Sequence, residues 1–83
     1  MFKTYILYSK SKDKFYIGHT ASIEDRLKRY NAGRSKSTKY GLPWKIVYVK
    51  EFETKPQAYN HEMFIKKQKS SKFIRNLINN KDI

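Results

Sequence analysis

The sequence predicts an α+β fold: a three-stranded antiparallel sheet flanked by helices, in the order ββαβαα. Three observations carry that expectation. Two runs rich in aromatic and β-branched residues open the chain, Phe2 to Ser9 and Phe15 to Thr20, separated only by the polar stretch Lys10 to Lys14. A third such run, Trp44 to Phe52, alternates well enough to be a strand. The segments after the second and third runs carry helical start signals and helical spacing instead.

The first two runs read as a β-hairpin. Symmetric closure on Lys10 and Ser11 would set Tyr5 directly opposite Tyr16. Ser22 then opens a helix, with Glu24 and Asp25 in the first turn where the helix dipole favours acids. Ile23, Leu27 and Tyr30 fall at i, i+4 and i+7, and Gly33 is a suitable stop. Residues 34–43 are basic and serine-rich and end in Gly41-Leu42-Pro43, which reads as a surface loop. After the third strand, Thr54-Lys55-Pro56-Gln57 has the form of a capping box, with proline tolerated in the first turn. A helix should follow through Ala58, Met63 and Ile65 to about Lys69. Ser70 or Ser71 caps a last helix whose apolar stripe is Phe73, Ile74, Leu77 and Ile78.

Eighty-three residues suit one domain, read here as spanning residues 1–83, with a modest core. With no cysteine, neither disulfides nor thiolate metal sites can brace it. The early apolar run from Tyr5 to Tyr8, flanked by Lys3 and Lys10, is too short for a signal peptide or a membrane span, so the cytoplasm is the expected location. Nineteen bases against seven acids give a net charge of +12, and Arg26 through Lys50 contains no acid. Such a field favours polyanions, so nucleic acid is the expected partner. An AT-rich coding bias would write the same lysines, isoleucines, asparagines and tyrosines.

Five residues stand out as candidates for chemistry. Tyr5 and Tyr16 are either a stabilising cross-strand aromatic pair or part of a site; a phenol, with a reference pKa of about 10, needs a cation or metal nearby to act as a base. His19 and the neighbouring lysines are candidates for that field. Arg26 is one of four arginines, with Arg29, Arg34 and Arg75, in a chain otherwise biased to lysine. It shares a helix face with Tyr30, one turn on, and guanidinium suits bidentate phosphate contact. Glu62 falls on the apolar face of its helix, four after Ala58 and three before Ile65. A carboxylate there is costly unless paired or metal-bound. Magnesium, which takes few carboxylates and keeps waters, fits one reading; an ion pair with Arg26 or Lys66 fits the other. His61 is turned roughly 100° around the helix and is not expected to share a metal with Glu62. Gly18, inside a strand-like run, marks a bulge, a strand end or a close approach. No Gly-rich phosphate loop, zinc-type Cys/His cluster or nucleophile motif competes.

These pieces resemble a known family. Thr4-Tyr5-Ile6 and Tyr16-Ile17-Gly18 are similar to the two name-giving tripeptides of GIY-YIG nucleases. Arg26 to Gly33 resembles the family's next helix, Pro43 to Tyr48 its third strand, and Ala58 through Glu62 to Lys66 its metal-binding helix. The closest likeness is to short stand-alone bacterial members related to the nuclease domain of the excision-repair UvrC subunit. The resemblance implies a metal-dependent DNA endonuclease. Glu62 would hold one Mg²⁺ or Mn²⁺, Tyr16 would be general base, Arg26 would bind the scissile phosphate, and Tyr5 and Tyr30 would position water or phosphate. Products would carry a 5′-phosphate and a 3′-hydroxyl. Thr4 stands in place of the first motif's glycine, Tyr30 where many members have His, and His19 where a Lys is common. Asn76 is the one candidate for a late polar residue near the metal.

Two other readings stand beside it. One is a catalytically silent basic nucleic-acid-binding module on the same fold; the other is an RNA-associated or ribosome-associated protein, which the same basic field permits. His19, Lys28, Arg29, Arg34, Lys36 and Lys39 are the nucleic-acid-binding candidates.

Overall fold

The computed structural model describes residues 1–33 and 39–79. Strands β1 (Phe2–Ser9), β2 (Lys14–Thr20) and β3 (Trp44–Phe52) form one antiparallel sheet in the spatial order β2-β1-β3. Helices α1 (Ile23–Asn31), α2 (Lys55–Lys67) and α3 (Ser71–Asn79) complete the order ββαβαα that the sequence predicts. No helix among the described residues is long and apolar enough to cross a membrane.

The central strand β1 is buried on both faces. Thr4, Ile6 and Leu7 are at 0% exposure and Tyr5 at 1%. Alternation sends successive residues to opposite sides. Tyr5 and Leu7 meet Ile23 and Trp44, with Leu27 and Tyr30 of α1 packed against them. Ile6 goes the other way, to Ile65 of α2 and Ile74 of α3. Each fully buried Leu or Ile contributes about 1.5–3 kcal/mol, so β1 is the seam that joins the two apolar layers. In β3 a bulge between the partners of Ile6 and Leu7 breaks the alternation, so Ile46 serves the α1 layer while Val47 and Tyr48 serve the other.

The hairpin register corrects one expectation. Tyr5 pairs with Gly18, Leu7 with Tyr16 and Ser9 with Lys14, so Tyr5 and Tyr16 are not directly opposite. The connection runs from Lys10 to Asp13 because Asp13 takes a left-handed conformation, φ +50°. Its carboxylate accepts from Tyr8 Oη at 2.8 Å and Arg75 Nη2 at 3.2 Å, which secures the longer turn. A two-residue displacement preserves facing, so both tyrosines still point to the α1 side.

Helix ends follow local chemistry. Thr54 and Gln57 form the expected capping box at α2. Ser70 Oγ accepts from Phe73 N at 3.1 Å at the start of α3. Ser22 is the N-cap residue of α1 but makes no side-chain cap; Thr20 Oγ1 accepts the Ser22 N–H instead, at 3.1 Å. Helix α1 ends before Gly33, at φ +68°. Helix α2 ends at Lys67, short of the Lys69 expected, because Lys69 turns left-handed at φ +48°. The loop expected over residues 34–43 lies partly outside the described residues.

Thr4 Oγ1 donates to the Ala58 carbonyl at 2.7 Å, a buried bond that seats α2 on β1. Thr4→Val keeps the shape and removes the donor. Chemical denaturation of that variant should show a loss of about 0.5–1.5 kcal/mol with an unchanged m-value.

Candidate active site

The edge strand β2 has α2 against one of its faces, on the other face its Tyr16 meets Tyr30 of α1, and a cleft of about 490 Å³ opens along this edge. Tyr5 from β1, Tyr16 from β2, Arg26 and Tyr30 from α1, and Glu62 from α2 all line it. Residues separated by up to 57 positions in sequence thus share one opening (Tyr5 to Glu62). Arg29, Lys55 and Lys66 add positive charge to the walls, His19 adds an imidazole, and Asp25 of the first turn of α1 adds an acid.

Three tyrosines form the α1 side. Tyr5 Oη and Tyr30 Oη are 3.1 Å apart, and the Tyr16 and Tyr30 rings lie with centroids 4.9 Å apart. Trp44 backs the cluster, edge-on to Tyr16 at 6.3 Å. Their exposures separate their roles: Tyr5 is at 1% and Tyr16 at 40%, so Tyr16 is the accessible hydroxyl. Burial raises the Tyr5 pKa, with the Tyr30 hydrogen bond and the Arg26 charge acting the other way. Tyr30 is raised strongly, first by burial and then by its hydrogen bonds with Tyr16 and Tyr5. Tyr30 therefore keeps its proton and remains a donor within the cluster.

Gly18 makes room for this arrangement. A Cβ built there would lie 2.4 Å from Tyr5 Oη and 2.7 Å from Tyr5 Cζ. Of the readings open in sequence, close approach is the one the structure displays: the Tyr5 ring crosses the bare backbone of its cross-strand partner to reach the cleft.

Glu62 forms the other wall, with its side chain 8% exposed. Oε1 meets His19 Nδ1 at 2.6 Å and Oε2 meets Lys66 Nζ at 2.6 Å. Of the two ion pairs considered from sequence, Lys66–Glu62 forms and Arg26–Glu62 does not. His19, expected as one source of field for Tyr16, lines the same cleft from the other face of β2. Three residues along a strand is an odd step, so His19 faces α2 while Tyr16 faces α1. That parity was legible in the sequence and would have pointed to α2. His61 lies off the site as expected, bonded through Nε2 to Tyr48 Oη at 3.0 Å.

Among the expected nucleic-acid contacts, His19 and Arg29 line the cleft, while Lys28 and Lys39 are exposed outside it. Arg34 and Lys36 lie outside the described residues. Asn76 is exposed on α3 and does not line the cleft, so its expected place near Glu62 is not borne out.

The GIY-YIG catalytic domain model matches residues 1–78. The chain belongs to the GIY-YIG family. This is a nuclease superfamily, so its implied substrate is nucleic acid. The chain is 36% identical over 70 residues to the UPF0213 protein SpyM50708 of Streptococcus pyogenes serotype M5 (strain Manfredo), covering 82% of this chain and 76% of that protein. The UPF0213 protein MGAS10270_Spy1222 of Streptococcus pyogenes serotype M2 matches with the same identity and coverage. No solved structure matches the chain. In this GIY-YIG domain the first tripeptide supplies the Tyr5 ring and the second supplies both Tyr16 and the glycine over which Tyr5 passes.

Gly18→Ala should destabilise the domain by about 1–3 kcal/mol in urea titrations, because the new methyl meets a ring that packing holds in place. Combining it with Tyr5→Leu should cost less than the two single changes summed, since the clash is then gone. A second expectation concerns alkaline pH. The Tyr30 pKa is raised on folding, so its contribution is complete below the unfolded value of about 10 and is lost as pH climbs beyond it. Tyr30→Phe should flatten that part of the stability–pH curve relative to wild type.

Proposed function

We propose that this chain is a metal-dependent DNA endonuclease that hydrolyses phosphodiester bonds within the cleft over β2. The observation that carries this reading is the convergence of Tyr5, Tyr16, Arg26, Tyr30 and Glu62, from four separate elements, on one opening.

The donor set fits a hard divalent cation. Glu62 is a single, nearly buried carboxylate on a wall that opens to solvent, and the described residues hold no cluster of three His, Cys, Asp or Glu side chains. Such a site suits Mg²⁺ or Mn²⁺, which accept one carboxylate and complete their shell with water and phosphate oxygens, better than zinc. Glu62 would hold the ion, which when bound would polarise the phosphate and offset developing charge. Lys66, 47% exposed at its side chain, is the partner free to swing away and release Oε2.

The chain's own residues do the rest. Tyr16, the exposed tyrosine, acts as general base in its phenolate form: its oxygen takes the proton of the attacking water and becomes the neutral phenol. Tyr30, which retains its proton, donates within the cluster and orients the Tyr16 oxygen. Tyr5 is locked by Gly18 and α1, so it sets the position of Tyr30. Arg26, half-buried on α1, binds the scissile phosphate through its planar fork and stabilises the charge that develops on it. The new P–O bond forms as the P–O3′ bond breaks, and the departing 3′-oxygen takes a proton from solvent, giving a 5′-phosphate and a 3′-hydroxyl.

One observation favours a second reading, a catalytically silent DNA- or RNA-binding module: both Glu62 oxygens already have side-chain partners, His19 and Lys66. Cleavage of supercoiled plasmid and a single-stranded oligonucleotide separates the two. With Mn²⁺ the wild type should cut and with EDTA it should not. Glu62→Gln should remove cutting at a temperature where its unfolding curve shows it still folded, and Arg26→Lys should slow cutting by about 10²–10³-fold. No cutting of any DNA form, with salt-dependent binding kept in EDTA, would favour the silent module.

A further inference from the structure

A second cleft, of about 510 Å³, adjoins the first and shares Tyr16, Ile17 and Lys66 with it. Its floor runs between the start of β2 and the turn joining α2 to α3. Lys14 and Lys69 line it and, among the described residues, neither forms an ion pair. Its acid, Asp13, is already taken by Tyr8 Oη at 2.8 Å and Arg75 Nη2 at 3.2 Å. Ser70 and Ser71, at the N-terminal end of the nine-residue α3, line the same cleft, so the positive end of the helix dipole adds to the field. The cleft is thus cationic, lacks a free counter-charge among the described residues, and opens directly off the wall that carries Tyr16.

We propose that this second cleft is a backbone-phosphate subsite, in which Lys14 and Lys69 hold the nucleic-acid strand that continues past the candidate active site. It rests on the reading of the first cleft as a nucleic-acid site. Lys66 lies at the junction, within reach of either cleft. The occupant is a phosphodiester chain rather than a single anion, because two uncompensated lysines and a helix end line an open channel continuous with the hydrolytic cleft. A contact to the phosphate backbone fixes position along the strand and carries no sequence preference.

The test measures binding of a fluorescent single-stranded oligonucleotide in EDTA at several salt concentrations, so that catalysis plays no part. Lys14→Gln with Lys69→Asn removes both charges, and asparagine tolerates the left-handed backbone at position 69. Two lost contacts at about 0.7 each should lower the log–log salt slope by about 1.4. Lys45→Gln with Lys50→Gln, an equal charge loss on β3 at the far edge of the sheet, should lower it by less than half as much. Equal falls in both variants, or an unchanged slope in the first, would overturn the subsite. A wild type that binds with the expected difference but never cuts DNA keeps the subsite and removes the nuclease. Cutting with no slope difference removes the subsite alone.

Discussion

Strand β1 lies between two strands and beneath helices on both sides, so its middle residues have no solvent face to occupy. Every side chain from Thr4 to Leu7 must satisfy one layer or the other, and each does so differently. Thr4 uses a hydroxyl to seat α2, Ile6 and Leu7 fill the two apolar layers, and Tyr5 projects a phenol through the α1 layer toward the edge of the sheet. That last choice works because its cross-strand partner is Gly18. With any Cβ at that position the ring and the new methyl would compete for one volume. The tyrosine cluster, and the cleft it lines, follow from a residue that is absent on β2.

The opposite wall is governed by charge rather than shape. A carboxylate at 8% exposure requires compensation, and Glu62 receives it from a histidine on β2 and a lysine one turn along its own helix. The histidine bond ties α2 to the edge strand, and the lysine, on the same helix, helps hold the carboxylate at the cleft wall. They also define what a divalent ion must displace. A lysine that is half-exposed and tethered by four methylenes is readily displaced, whereas His19 is more enclosed, at 20% side-chain exposure. The two oxygens of Glu62 are therefore unequal in accessibility.

The architecture was largely legible because several local signals agreed. Alternation marked the strands, Thr54 and Gln57 marked a capping box that forms as written, and Glu62 on an apolar helix face marked a charge in need of a partner. What escaped was longer in range or set by a single backbone angle. The hairpin register depended on Asp13 accepting a left-handed turn fastened by Arg75, a residue far along the chain on α3. His19 stands near Tyr16 in sequence, but strand parity turns it to α2, where it meets Glu62. Asn76 was placed near Glu62 by resemblance alone, and the direction of α3 carries it to solvent. The second basic cleft had no sequence signal, since it exists only where β2 meets the α2–α3 turn.

The central claim is that Glu62 is a metal-holding carboxylate whose lysine partner yields. Its most direct measurement is anomalous scattering from crystals grown with Mn²⁺ and a short oligonucleotide. The account predicts a manganese peak on the Glu62 carboxylate, with Lys66 turned out of the cleft and a phosphate between the ion and Arg26. An ordered oligonucleotide with no manganese peak, and with His19 and Lys66 still on both Glu62 oxygens, would contradict it.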